Sequence, residues 1–225
     1  MDMTWTKENS FDRSTGAQFP PSWPNEMLVK ILSTNRFCTF DNLSESVKVC
    51  EIGSFSGSNL RFFLDKKFVV YGVEINPEMV ELGVQNLVRL GYVPPPIVIG
   101  DNTNIPYPDA FFDLLVSINT LHYSSENESN LAIKEFARVI KPGGHAVIET
   151  AGQKHFAVKS ALRHGLLNYE WKAGGFRQST KFGFFDSIEH FREELLNVFA
   201  KVEVCTRIEN FPEIELEFMV AICKK

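Results

Sequence analysis

Residues 47–57 read Val-Lys-Val-Cys-Glu-Ile-Gly-Ser-Phe-Ser-Gly. An apolar run of strand length carries an acid beside its end, and a turn framed by Gly53 and Gly57 follows. A helix-compatible segment, Asn59-Leu60-Arg61-Phe62-Phe63-Leu64, comes next. Strand, glycine turn and helix in that order are how α/β proteins bring their backbone close to a ligand. A glycine removes the side chain that would block approach, and the helix start aims its amides at the turn. The pattern predicts a strand over 47–52 and a helix over 58–65.

Outward from this turn the alternation repeats. Val69-Val70-Tyr71-Gly72-Val73-Glu74 is a second strand ending in an acid, and Pro77 opens a helix stopped by Gly91 and Pro94. Ile97-Val98-Ile99 is a third strand, with Gly100-Asp101-Asn102 just past it. Phe112 to Ser117 is a fourth, and Ser125 with Glu128 forms a capping box for a helix reaching about Ile140. Lys141-Pro142-Gly143-Gly144 ends that helix and turns into a fifth strand, Ala146 to Glu149. A helix over 187–199 and two strands, 201–208 and 215–222, close the chain as an antiparallel pair at one edge. Near the start, Pro24-Asn25-Glu26 opens a helix with Met27, Leu28, Ile31 and Leu32 on one side. Alternating strands and helices imply a doubly wound parallel sheet.

A length of 225 residues suits one α/β domain with modest decoration. We divide it into an N-terminal arm and helix (1–35), a ligand-binding core (45–150), a substrate-side insertion (151–185) and a last helix with its strand pair (186–225). The net charge of −5, without a long basic run, would repel a phosphate polymer, which argues against bulk nucleic acid. No run is long and apolar enough for a membrane span, and the polar first residues do not read as a signal peptide. Cys38, Cys50, Cys205 and Cys223 lie far apart, so no metal site is expected. Cys50, Cys205 and Cys223 fall in apolar runs and read as buried thiols, which points to a cytoplasmic location. The 20 phenylalanines read first as core, and second as an aromatic pocket.

Together, the segment 51–57, the acids Glu74 and Asp101, and Glu135-Phe136-Ala137-Arg138-Val139-Ile140-Lys141-Pro142-Gly143-Gly144 resemble the class I S-adenosylmethionine-dependent methyltransferases, over roughly residues 45–150. The resemblance implies a seven-stranded Rossmann-like sheet, mostly parallel with an antiparallel last strand, and S-adenosylmethionine as cofactor. It implies that Glu51 attracts the cofactor's cationic parts, that Gly53, Ser54, Phe55 and Gly57 line it, and that Glu74 with Ile75 holds its ribose. A carboxylate's paired oxygens suit two hydroxyls. It also implies that Asp101 and Asn102 meet the adenine and that Asn119 lines the site. A dinucleotide fingerprint wants a second glycine where Phe55 stands, so NAD or FAD is disfavoured.

The resemblance further implies acceptor chemistry past the fourth strand, in Ser117-Ile118-Asn119-Thr120-Leu121-His122-Tyr123. His122 is the candidate base, although a structural or cofactor-lining role is the stronger claim on a histidine there. The Asn/Asp-Pro-Pro-Tyr motif of amino-directed methyltransferases is absent, so a small-molecule acceptor with oxygen slightly preferred is expected. Tyr123, Tyr169 and Trp171 are candidate acceptor contacts, and Trp5 and Phe11 could help enclose the pocket; all read equally well as packing. The alternatives are a protein or structured-RNA methyltransferase, with Arg163, Lys172, Arg177 and Lys181 as contacts, or a non-catalytic module that binds the cofactor.

Overall fold

The computed structural model describes residues 22–34, 46–159, 161–163, 168–171 and 181–225. Helix α1 (Glu26–Ser33) precedes β1 (Lys48–Ile52), α2 (Ser58–Asp65), β2 (Val69–Glu74), α3 (Pro77–Arg89) and β3 (Ile97–Ile99). Strand β4 (Phe112–Ile118) leads through a single 3₁₀ turn, Leu121–Tyr123, to α4 (Glu126–Val139) and β5 (Ile140–Ala151). Then come α5 (Phe156–Lys159), β6 (Ala161–Arg163), β7 (Asn168–Trp171), β8 (Lys181–Gly183), α6 (Ile188–Leu196), β9 (Lys201–Asn210) and β10 (Glu215–Lys224).

Seven strands form one sheet in the order β3-β2-β1-β4-β5-β10-β9. The strands from β3 to β5 pair in parallel, while β10 runs antiparallel to both β5 and β9. The last strand in the chain is therefore the reversed one, inserted between β5 and β9. The sequence order turns back at β1 and β4. That is the switch point where open α/β sheets hold ligands beyond the carboxyl ends of their strands.

Successive residues of the central strands point to opposite faces of the sheet, and both faces are buried. Val49, Leu114, Val116, Val147 and Val220 pack under α1, α2 and α3 with Leu28, Ile31, Leu60, Phe63 and Leu87. Ile52, Leu115, Ile148, Met219 and Ala221 pack on the other face against Ile133 and Phe136 of α4 and Phe191 and Leu195 of α6. Phe62, Phe63, Phe112, Phe136, Phe182, Phe184 and Phe191 are buried, so the phenylalanine excess is largely core.

Three expectations need correction. Strand β5 begins at Ile140, because the Lys141–Gly144 turn is held inside the sheet. Gly143 N–H donates to Lys225 O and Lys225 N–H to Gly144 O, at 2.9 and 3.0 Å. The insertion 151–185, for which no strand was predicted, contains β6, β7 and β8, which form a second, antiparallel three-stranded sheet. Cys205 is exposed, unlike the buried Cys50 and Cys223. It lies on the face of edge strand β9 opposite the buried Val202. Asp113 accepts the Lys48 N–H at 2.9 Å and pairs with Lys141 at 2.7 Å, tying β1 and the Lys141 turn to β4.

Candidate functional site

The 53–57 turn is built from backbone held on three sides. Gly53 and Ser54 N–H groups both donate to Val73 O, at 2.8 and 3.2 Å, and Gly57 N–H donates to Ser54 O at 2.7 Å. Gly53 has φ +74, and a Cβ there would lie 2.2 Å from Thr120 Oγ1, so no other residue fits. The Thr120 hydroxyl is shared between Ile52 O and Ile118 O, at 3.2 and 3.1 Å, stitching the ends of β1 and β4 together. From α3, Gly83 lets the helix press on Phe55 O, which a Cβ would approach to 2.5 Å. Asn86 of the same helix donates to Ser56 O at 2.8 Å.

Two acids flank the turn and are held differently. Glu74 is nearly buried, and its carboxylate accepts from Phe55 N–H at 3.0 Å and Asn76 N–H at 3.1 Å. Burial raises its pKa, opposed by those amides and by the backbone of Ile75. Glu51 is also buried; Oε1 accepts from Asn59 Nδ2 at 2.7 Å, while Oε2 has no partner among the described residues. Burial pushes the Glu51 carboxyl up to about 8, with the Asn59 bond pulling it down and the Glu74 charge adding to the rise. Ser54 Oγ and Asn119 Oδ1 are likewise buried without a partner among the described residues. Asn119, directly after β4, has φ +54, and its N–H donates to Glu149 O at 2.9 Å.

Three orphaned polar atoms at the carboxyl ends of β1 and β4, beside a turn with glycine-only backbone, are the chemistry a polar, cationic ligand would satisfy. The residues present therefore fit S-adenosylmethionine. Asp101 is turned inward on its own loop: Oδ1 accepts from Thr103 N–H and Oγ1 at 2.6 and 2.7 Å. Asn102 donates to Ser124 Oγ at 3.0 Å, joining this loop to the one after β4.

The acceptor-side candidates divide. His122 is buried; its Nδ1 lies 3.4 Å from the Ala151 N–H, and its ring stands 4.5 Å from Tyr123 and 6.2 Å from both Phe182 and Phe184. His155, also buried, lies 6.5 Å away. Tyr123 packs on Phe182 at 5.2 Å. The insertion thus returns to cover His122 through Phe182 and Phe184. Tyr169 and Trp171 are placed in β7 by their backbone alone. Trp5, Phe11, Lys172 and Arg177, and the side chains of Arg163 and Lys181, lie outside the described residues.

Sequence reasoning missed a second polar group beside the turn. Asn25, the N-cap of α1, donates its N–H to Asn59 Oδ1 at 2.7 Å and its Nδ2 to Glu149 Oε1 at 3.0 Å. Glu149, fully buried at the end of β5, pairs through Oε2 with Arg207 Nη2 at 3.0 Å. Arg207 also pairs with Glu209 and lies 4.1 Å over the Phe218 ring. The signal available was Asn25 directly after a proline, which reads as a helix cap and as nothing more.

The model of the methyltransferase domain family matches residues 50–148. Over 53 residues the chain is 43% identical to the tRNA (carboxymethyluridine(34)-5-O)-methyltransferase of Arabidopsis thaliana, covering 23% of this chain and 13% of that protein. Over 110 residues it is 31% identical to the ubiquinone/menaquinone biosynthesis C-methyltransferase UbiE of Cupriavidus metallidurans, covering 48% of this chain and 44% of that one. The chain thus matches less than half the length of these relatives. A solved S-adenosylmethionine-dependent methyltransferase from Methanosarcina mazei shares the fold with a TM-score of 0.67 at 18% identity, covering 81% of this chain and 94% of its own. The matched span coincides with the strands that build the switch point. Residues 50–148 thus match the methyltransferase domain family, on a sheet whose fold is shared with a solved S-adenosylmethionine-dependent methyltransferase.

Proposed function

We propose that this chain transfers a methyl group from S-adenosylmethionine to a small-molecule acceptor, with oxygen slightly preferred as the receiving atom. The observation that carries the reading is the set of buried, unpartnered polar atoms, Glu51 Oε2, Ser54 Oγ and Asn119 Oδ1, around the Gly53 turn. In this reading Glu51 faces the cofactor's cationic end, Gly53, Ser54, Phe55 and Gly57 line it, Glu74 and Ile75 hold its ribose, and Asp101, Asn102 and Asn119 complete the site. The bound cofactor supplies a methyl on a sulfonium, already an excellent leaving group. The protein's task is then mainly alignment, which can contribute about 7–11 kcal/mol. A dedicated base adds about 10²–10⁴-fold when the acceptor is a hydroxyl. His122 is the candidate for that role. Its position under Phe182 and Phe184 equally supports a wall of the acceptor site, with Tyr123, Tyr169 and Trp171 as further candidate contacts. The net negative charge supports a small acceptor over a polyanion.

A macromolecular acceptor is the second reading, favoured by the likeness to a tRNA methyltransferase over 53 residues. The test uses S-adenosylmethionine with a labelled methyl group, offered with hydroxylated small molecules in one arm and with bulk tRNA or protein in the other. Label transferred to a small molecule supports the first reading. Label found only in tRNA or protein replaces it with the second. In the active arm, His122→Gln losing about 10²–10⁴-fold in kcat assigns the base; a change of severalfold assigns a wall.

A further inference from the structure

We propose that Asn59 is a positioning residue: it presents Glu51 to the cationic end of the cofactor and links that contact to the docking of helix α1. The inference rests on the methyltransferase reading above and deepens it.

The Asn59 side chain is 8% exposed and is claimed at both ends. Its Oδ1 faces a donor, the Asn25 N–H, and its Nδ2 faces an acceptor, Glu51 Oε1, each at 2.7 Å. The opposite orientation of the amide would set donor against donor and oxygen against carboxylate, so its two neighbours fix it. With Oε1 held, the other oxygen of Glu51 is left buried and without a partner among the described residues. A carboxylate in that condition asks for a cation or a proton.

Among the described residues, the charges around Glu51 supply no cation. Glu74 faces it from β2, and on its own strand the neighbour is the Cys50 thiol. Beyond Asn59 and Asn25 lies a second buried carboxylate, Glu149 of β5, and the Arg207 guanidinium from β9 is paired with Glu149 and Glu209. Of the two buried carboxylates joined by Asn25 and Asn59, only Glu149 has a cation among the described residues. An ammonium or sulfonium arriving at Glu51 supplies the missing charge, and the Asn59 bond strengthens as Glu51 ionises. The same asparagine holds the first turn of α1 by its backbone, so a firmer Asn59–Glu51 contact also holds α1 more firmly. By linkage, docking α1 tightens cofactor binding by the same factor.

Two substitutions separate these contacts. Asn59→Leu removes both. Asn59→Asp keeps an acceptor for the Asn25 N–H but sets a carboxylate against Glu51. Binding of S-adenosylmethionine and S-adenosylhomocysteine is measured by calorimetry from pH 6 to 9, with amide exchange of residues 26–33 and circular dichroism to show folding. In the wild-type chain, affinity should rise with pH as Glu51 ionises, and exchange of 26–33 should slow on binding. Asn59→Leu should weaken binding about ten- to a hundredfold at pH 7, shift the pH midpoint upward and abolish the slowing of exchange. Asn59→Asp should lose affinity while keeping the exchange of 26–33 in the unliganded chain near wild type. Folded variants that keep wild-type affinity, pH profile and exchange response would overturn the inference while leaving the cofactor reading intact. A wild-type chain that binds neither ligand would overturn the cofactor reading itself, and this inference with it.

Discussion

Glu51 and Glu74 stand at the ends of neighbouring parallel strands, yet the backbone treats them differently. Glu74 receives amides from Phe55 and Asn76, so it is preset as an acceptor. Glu51 receives the Asn59 side-chain amide and a lesser contribution from the Leu60 backbone, and burial raises it from an ordinary value of 4.5 to about 8. The sign of the consequence is definite. A carboxyl whose folded pKa lies above its unfolded value binds more protons folded than unfolded between the two, so stability is lost as pH rises through that window. The ligand-free protein should therefore lose stability from about pH 4.5 to about 8, by up to about 1.4 kcal/mol per pH unit for this one group. Glu51→Gln, which mimics the protonated acid, should flatten that slope in urea titrations across the range. A variant as steep as the wild type would move the burden to Glu74 and Glu149, whose pKa values burial also raises. Glu51, Glu74 and Gly53 were legible because each sits at a fixed offset from a strand end. Asn25, Glu149 and Arg207 were not, because they meet only through the fold: Glu149 and Arg207 are 58 positions apart.

At the level of elements, the strand–turn–helix unit works only if β4 and α3 close on it. Gly53→Ala places a methyl against Thr120 and a side chain on a left-handed backbone. It should cost about 1–3 kcal/mol from overlap, plus about 1–2 from the backbone. Thermal denaturation should show the loss, and cofactor affinity should fall with it. A variant of unchanged Tm and affinity would show that the turn is not held as described. The core strands were readable from apolar runs bounded by Gly, Pro and Asn. The second sheet was not, because β6, β7 and β8 are three or four residues each, too short to show a period. Cys205 was misjudged for a related reason. On an edge strand only one face is covered, and the run Val202–Cys205 does not announce which.

Over the whole molecule, the sheet order gives the account its coherence. Turning back at β1 and β4 brings the Gly53 turn, Asn119 and the Glu51–Asn59–Asn25 contacts to one edge, while β10 and β9 extend the sheet to carry Arg207. A mostly parallel sheet was expected from the alternation of strands and helices, and the reversed last strand from the family resemblance; the strand order itself was not. The acceptor was not readable, because the candidate contacts Tyr123, Tyr169 and Trp171 read equally well as packing residues. The most direct measurement is calorimetric titration of the wild-type chain with S-adenosylmethionine, S-adenosylhomocysteine and NAD in parallel. Micromolar binding of both adenosyl-sulfur ligands and none of NAD is the expected result. Binding of NAD alone, or of none of the three, would contradict the account while leaving the fold as described.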